Sequence, residues 1–187
     1  MTGARVWRLE AGGLLCVLSV LCVGAAGCGY SLAGHGSFLP AEIKIIGIPA
    51  FTNHTPVFNL ETQITTKVRS EFIGRGKYKI LPQDTGVDAV LVGDVSTVSV
   101  TPLSFNNTTQ LASRYVITMT ANIQLRDAKD NKILWENPSL IFRQEYEATS
   151  GKGALDANAF FGQEANALDR VSNDFARAIV SAILEAF

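Results

Sequence analysis

Reactive side chains are scarce in this chain. Of 187 residues only three are cysteine, at positions 16, 22 and 28, and only two are histidine, His35 and His54. A metal centre needs several His, Cys or carboxylate ligands that converge, and no segment has that spacing. There is no G-x-S-x-G elbow, phosphate-binding loop or dinucleotide fingerprint. "GRGK" at 74–77 reads as a helix stop with solvated charges, and Asp84, Asp88 and Asp94 as solvated turn or strand residues. His54 reads as a surface loop residue. These absences exclude catalysis with a resident metal or cofactor, and we expect no enzyme and no cofactor. The net charge is −1, so nothing draws the chain as a whole toward nucleic acid.

After residue 26 there is also no long apolar run. The one such run, from Ala11 to Ala26, follows Arg5 and Arg8. It is shorter than the roughly 18 residues of a membrane span. A basic start, a short apolar core and a small-residue exit form a secretory signal. Its end, "AAGC", has the small-small-Cys form of a bacterial lipobox, in which Cys28 is acylated and becomes the first mature residue. The alternative is plain cleavage after Ala26, which leaves Cys28 a free thiol. Acylation explains why a secreted chain would keep one unpaired cysteine. Gly29 follows it, which is compatible with the outer membrane, whereas Asp there favours inner-membrane retention. The expected organisation is a signal peptide over 1–27, a lipidated tether over 28–41 and a single domain over 42–187. The 160 residues after position 27 are enough for one core.

Hydrophobic periodicity outlines the domain. "EIKIIGI" (42–48) is a strand closed by Pro49. Thr55 and Pro56 suit a helix N-cap and first position. Leu60, Ile64, Val68 and Phe72 then line one helix face until Gly74 and Gly76. "KYKIL" is a short strand and 86–101 a long one. In the long strand the apolar phase changes between Leu91/Val95 and Val98/Val100, which predicts a bulge or burial of both faces at one end. In 114–126, "RYVITMTANIQLR", Tyr115, Ile117, Met119, Ala121, Ile123 and Leu125 alternate with polar residues, marking a half-buried strand. "DAKDNK" is a turn, and "ILWENPSLIFRQEY" returns as the hairpin partner. Pro138 places that partner at an edge or at a bulge. A last helix runs from about Asn158 to the chain end. The order β-α-β-β-β-β-α predicts an α+β two-layer sandwich: two helices on one face of a mostly antiparallel sheet of four to five strands.

If the helices cover the apolar face, then Arg114, Thr118, Thr120, Asn122, Gln124 and Arg126 lie on the other. That face is either simply solvated or a docking surface for a polar-walled partner. Lys129 and Lys132, in the following turn, are candidates for a phosphate contact. Asn106 and Asn107 begin glycosylation sequons that chance alone explains.

From Cys28 onward the chain resembles the LptE family of lipopolysaccharide-assembly lipoproteins. The residues that carry the resemblance are "CGYSLAG" with "LP" at 39–40, "IPAFTN", "LETQITTKVRSEFIGRG" with "YKIL", "AVLVG", "RYVITMTANIQL" with "ILWEN", and "IVSAILEAF". The resemblance implies a non-enzymatic, lipid-anchored protein on the periplasmic side of the outer membrane. Its partners would be a large LptD-like β-barrel, whose lumen it occupies and whose assembly it assists, and lipopolysaccharide. Cys28 carries over as the acylated residue, whereas no basic residue aligns securely with the family's lipid contacts. Curli-secretion lipoproteins and lipoprotein activators of peptidoglycan synthases resemble the "IIGIPAFTN" region as well. The long 114–146 hairpin followed by one terminal helix favours LptE.

Overall fold

The computed structural model describes residues 39–105, 112–147 and 156–187, all within the compact unit Ser37–Phe187. The expected signal peptide, Cys28 with most of its tether, and the sequons at Asn106 and Asn107 lie outside the described residues. The elements run β1 (Ile45–Gly47), β2 (Thr52–Asn53), α1 (Leu60–Gly74), β3 (Lys79–Leu81), β4 (Ala89–Phe105), β5 (Ala112–Asp127), β6 (Ile133–Glu147), α2 (Ala157–Gln163) and α3 (Ala165–Leu184). The fold is the expected α+β sandwich, with one more strand and one more helix than the periodicity indicated.

Strand order is β3-β1-β4-β5-β6, and β2 joins β4 beyond β1. The short strands β1, β2 and β3 pair in parallel, while β4, β5 and β6 form a long antiparallel meander. The alternation in β5 is fully realised. Tyr115, Ile117, Met119, Ala121, Ile123 and Leu125 are all essentially inaccessible and join Val68, Phe72, Phe175, Ile179 and Ile183 of the helices in one core. The mixed phase of β4 is a bulge. Val95 pairs with Ala121 but Thr97 with Thr120, so Ser96 is the extra residue and the inward set changes from odd to even numbers. Pro138 sits on the edge strand, in an irregular stretch where three residues of β6 span two of β5.

Two local expectations are corrected. Helix α1 begins at Leu60 and not at Pro56. The Asn53 side chain accepts from both the backbone N–H and the hydroxyl of Thr55, and the Thr55 hydroxyl accepts from the Val57 N–H. These bonds fold 53–57 into a turn that buries Val57, and Asn59 then enters the helix from a left-handed conformation (φ 61°). The single terminal helix is broken at Glu164. Glu164 is 4% exposed and its carboxylate meets the Tyr146 hydroxyl. The break lets Phe160 stack against Tyr115 and Tyr146 while α3 runs beside α1. Lys67–Asp169 (2.6 Å) and Arg75–Ser181 (3.1 Å) tie the two long helices along their length.

The loop after β1 is fastened from the helix side. Arg69 donates through Nε and Nη2 to the carbonyl of Ile48 (2.9 and 2.6 Å), and the Thr65 hydroxyl accepts from the Phe51 N–H at 2.9 Å. The Phe51 ring then lies flat on β4 where the residue is glycine. A Cβ on Gly93 would sit 2.3 Å from two of its ring carbons. Gly93→Ala should therefore destabilise the domain by about 1–3 kcal/mol through overpacking. Chemical unfolding should give a smaller combined loss for Gly93→Ala with Phe51→Leu than the sum of the single losses, because the two sites share one contact.

Candidate functional site

Strand β5 is central in the meander, so the residues opposite it on β4 and β6 complete its outward face. Arg126 lies between Val90 and Ile133, and Gln124 between Val92 and Glu136. Asn122 is opposite Asp94 on one side and the Pro138–Ser139 bulge on the other. Thr120 lies between Thr97 and Ile141, Thr118 between Ser99 and Arg143, and Arg114 between Ser104 and Glu147. All six residues named from the sequence thus share the face turned away from the helices. Arg114 is exposed, and Thr118, Thr120, Asn122, Gln124 and Arg126 are half-buried between their neighbours.

The face is hydroxyl- and amide-rich at its centre. The Ser96 hydroxyl donates to the Thr120 carbonyl at 3.0 Å, and Arg126 donates through Nε to the Gln124 side-chain oxygen at 3.1 Å. The buried Oδ1 of Asn122 has no hydrogen-bond partner among the described residues. Aliphatic residues join this face: Val116 of β5 is 5% exposed on this side, and Ile141, on the edge strand and not visible in the β5 pattern, is 66% exposed. Ile141 belongs to a different strand, so only the register brings it beside Thr120.

Lys129 and Lys132 sit in the β5–β6 turn, at the opposite end of the hairpin from Arg114. The Asp127 and Asp130 carboxylates accept from the backbone N–H groups of Lys129 (2.7 Å) and Lys132 (2.9 Å), and Asn131 takes a left-handed φ of 59°. Aspartates that fold the turn thus alternate with the two exposed lysines. Asp88, expected to be merely solvated, is a structural staple. Its Oδ2 accepts from the N–H groups of Lys44 and Ile45, both at 2.9 Å, and its carbonyl accepts from Ala128. Those two backbone donors, and then the Lys129 charge, hold its carboxyl below the usual range.

His54 Nε2 lies 3.0 Å from Asp94 Oδ2, but the two side chains are 59% and 42% exposed on the sheet surface. A cavity of about 620 Å³ elsewhere is lined by Tyr146, Glu147, Gln163, Glu164, Asn166, Asp169 and Arg170, without His54. Burial, and next the nearby Glu164 carboxylate, raise the Tyr146 pKa. The Arg170 guanidinium lies 5.4 Å from the centre of the Tyr146 ring. Among the described residues no cluster of His, Cys, Asp and Glu could hold a metal, and no helix is long and apolar enough to cross a membrane.

The family model for LptE, lipopolysaccharide-assembly, matches residues 43–183. The chain belongs to the LptE family. That match spans both layers of the sandwich, from β1 to the last turn of α3. No curated protein matches the chain. Among solved structures it is similar to the rare lipoprotein B from Shewanella oneidensis, at 14% identity and a TM-score of 0.48, over 76% of this chain and 96% of that one. It is also similar to a lipoprotein B from Nitrosomonas europaea, at 17% identity and a TM-score of 0.46, over 84% and 96%. The hypothetical protein CT253 from Chlamydia trachomatis aligns at 11% identity and a TM-score of 0.49, over 78% and 99%.

The Asp88 staple makes a pH prediction for this LptE-family domain. Its folded pKa is depressed, so its contribution is present above the unfolded carboxylate pKa of about 3.9 and is lost as pH falls through the folded value. Urea midpoints should be lower for Asp88→Asn than for the parent at neutral pH. The two should converge in acid, below both pKa values.

Proposed function

We propose that this LptE-family protein is an outer-membrane lipoprotein, anchored through acylated Cys28. In this reading it seats its helix-free sheet face against the inner wall of an LptD-like β-barrel. There it assists the barrel's assembly and the passage of lipopolysaccharide to the outer leaflet. It acts by binding, without catalysis. The observation that carries the reading is the face itself: a long antiparallel sheet, uncovered by helices, whose central strand presents Thr118, Thr120, Asn122 and Gln124 in a row. Barrel lumens of this kind are polar. Uncharged hydroxyls and amides can exchange water for such a wall without the cost of burying a charge. Arg114 and Arg126, at the two ends of the row, would meet its acidic positions.

Lys129 and Lys132 are our candidates for the lipopolysaccharide phosphates. Their backbone N–H groups are already satisfied by Asp127 and Asp130. Both residues are exposed, which leaves the side chains available.

The test is affinity purification of the tagged, membrane-extracted protein. A large β-barrel should co-purify in stoichiometric amount with the parent. Thr118→Glu combined with Arg126→Glu should lower its recovery by at least about tenfold, the equivalent of about 1.4 kcal/mol. Recovery of a peptidoglycan synthase or a secretion pore in place of the barrel would overturn the reading.

A further inference from the structure

Strand β6 ends the sheet. Among the described residues it pairs with β5 on one side and with no strand on the other. Sheet edges of this length are normally short, bulged or covered, because their free N–H and C=O groups template another strand. Here the bulge is confined to the Pro138 region. From Leu140 to Glu147 the pairing with β5 is regular, one residue to one.

The side chains of that regular stretch are self-complementary. Ile141, Arg143, Glu145 and Glu147 are exposed on the outward face, while Phe142, Gln144 and Tyr146 turn toward the helices. We propose that this edge pairs antiparallel with β6 of a second copy of the chain, about a two-fold axis at Gln144. In that register Arg143 of each copy faces Glu145 of the other, so two opposite-charge pairs form. Phe142 faces Tyr146, and the exposed Ile141 lies against the stem of Glu147. Moving the axis to residue 143 sets Arg143 against Arg143. Moving it to residue 145 sets Arg143 against Glu147 but also Glu145 against Glu145, so only the axis at Gln144 forms opposite-charge pairs without a like-charge pair. An axis at 142 gives no opposite-charge pair. The charge pattern therefore selects one register, and cross-strand pairs are the unit that stabilises it. Pro138, which cannot donate to a ladder, falls outside the paired stretch. The arrangement is an isologous dimer with one continuous sheet and all helices on one side.

The proposal does not rest on the barrel reading, and its test reads this chain's own mass. The full-length protein, extracted without the barrel into excess detergent micelles, is examined by sedimentation. A Gln144→Cys variant is treated with a short bismaleimide, with the parent as the control for Cys28. A cross-linked product of twice the chain mass is expected from Gln144→Cys and not from the parent. Arg143→Glu alone and Glu145→Arg alone should each weaken dimerisation by at least about fivefold, or about 1 kcal/mol. The two changes together should restore it, because the pairs re-form with reversed sign. Unfolding midpoints for the same variants verify that the fold is retained. Monomer throughout, a single variant without effect, or a double variant no better than the singles would overturn the proposal. So would a product that contains a different protein.

Discussion

The seat of Phe51 joins the two layers. Its N–H is held by Thr65 of α1, its ring lies on the bare backbone of Gly93 in β4, and the preceding carbonyl of Ile48 is gripped by Arg69. The Thr65 hydroxyl also donates to the Glu61 carbonyl, so it both donates and accepts while only 3% exposed. A buried N–H without such a partner costs about 1–3 kcal/mol. With Phe51 in place, β1 and β2 become two short parallel pairings on one edge of β4, and α1 lies across them. The stretch "PAFTN", which contributed to the family resemblance, thus has a structural meaning. Proline supplies a residue that needs no donor's partner, the aromatic ring locks onto the glycine, and asparagine folds the turn into α1 through Thr55, Val57 and Glu61. These contacts hold the two layers of the sandwich together.

Once that edge is fixed, the other side of β4 is free to carry the meander. Strands of 17, 16 and 15 residues are far longer than β1, β2 or β3. Their inner faces consume the apolar surface of α1, α2 and α3. The helices are thereby committed to one side, and the outward side is left to polar residues by default. Solvation would accept almost any polar set there. The observed one places hydroxyls and amides at the centre of β5 and Arg at its ends, with the exposed Asp94–His54 pair beside Asn122 on β4 and further charges on the edge strand.

Much of this was legible in the chain, and for identifiable reasons. Six alternating apolar residues admit a single face for β5, so the core and the outward row followed together. The phase change in β4 and the proline in β6 each announced an irregularity, because a period of two cannot absorb an extra residue silently. Strand β2 was not legible: two residues have no period, and they pair only because Phe51 is anchored beside them. Thr55-Pro56 carries the right chemistry for a helix start, but Asn53 takes the threonine's groups first. The break at Glu164 was hidden within unbroken helical spacing, and the buried Glu164 lies against Tyr146 of another layer, which a one-dimensional pattern does not show. The full outward face needed the register, because Ile141 and Arg143 approach Thr120 and Thr118 from another strand.

The two surfaces of the meander place different demands on a partner. Thr118, Thr120, Asn122 and Gln124 can bond to a wall in many registers, since hydroxyls and amides both donate and accept. The edge of β6 is selective in the opposite sense. Its backbone would accept any extended strand, and only the order of Arg143, Glu145 and Glu147 discriminates among them. A face that tolerates many alignments can hold the domain inside an enclosing partner without fixing its depth. A charged edge favours one alignment over its neighbours, which guards the open ladder of β6 against indiscriminate pairing.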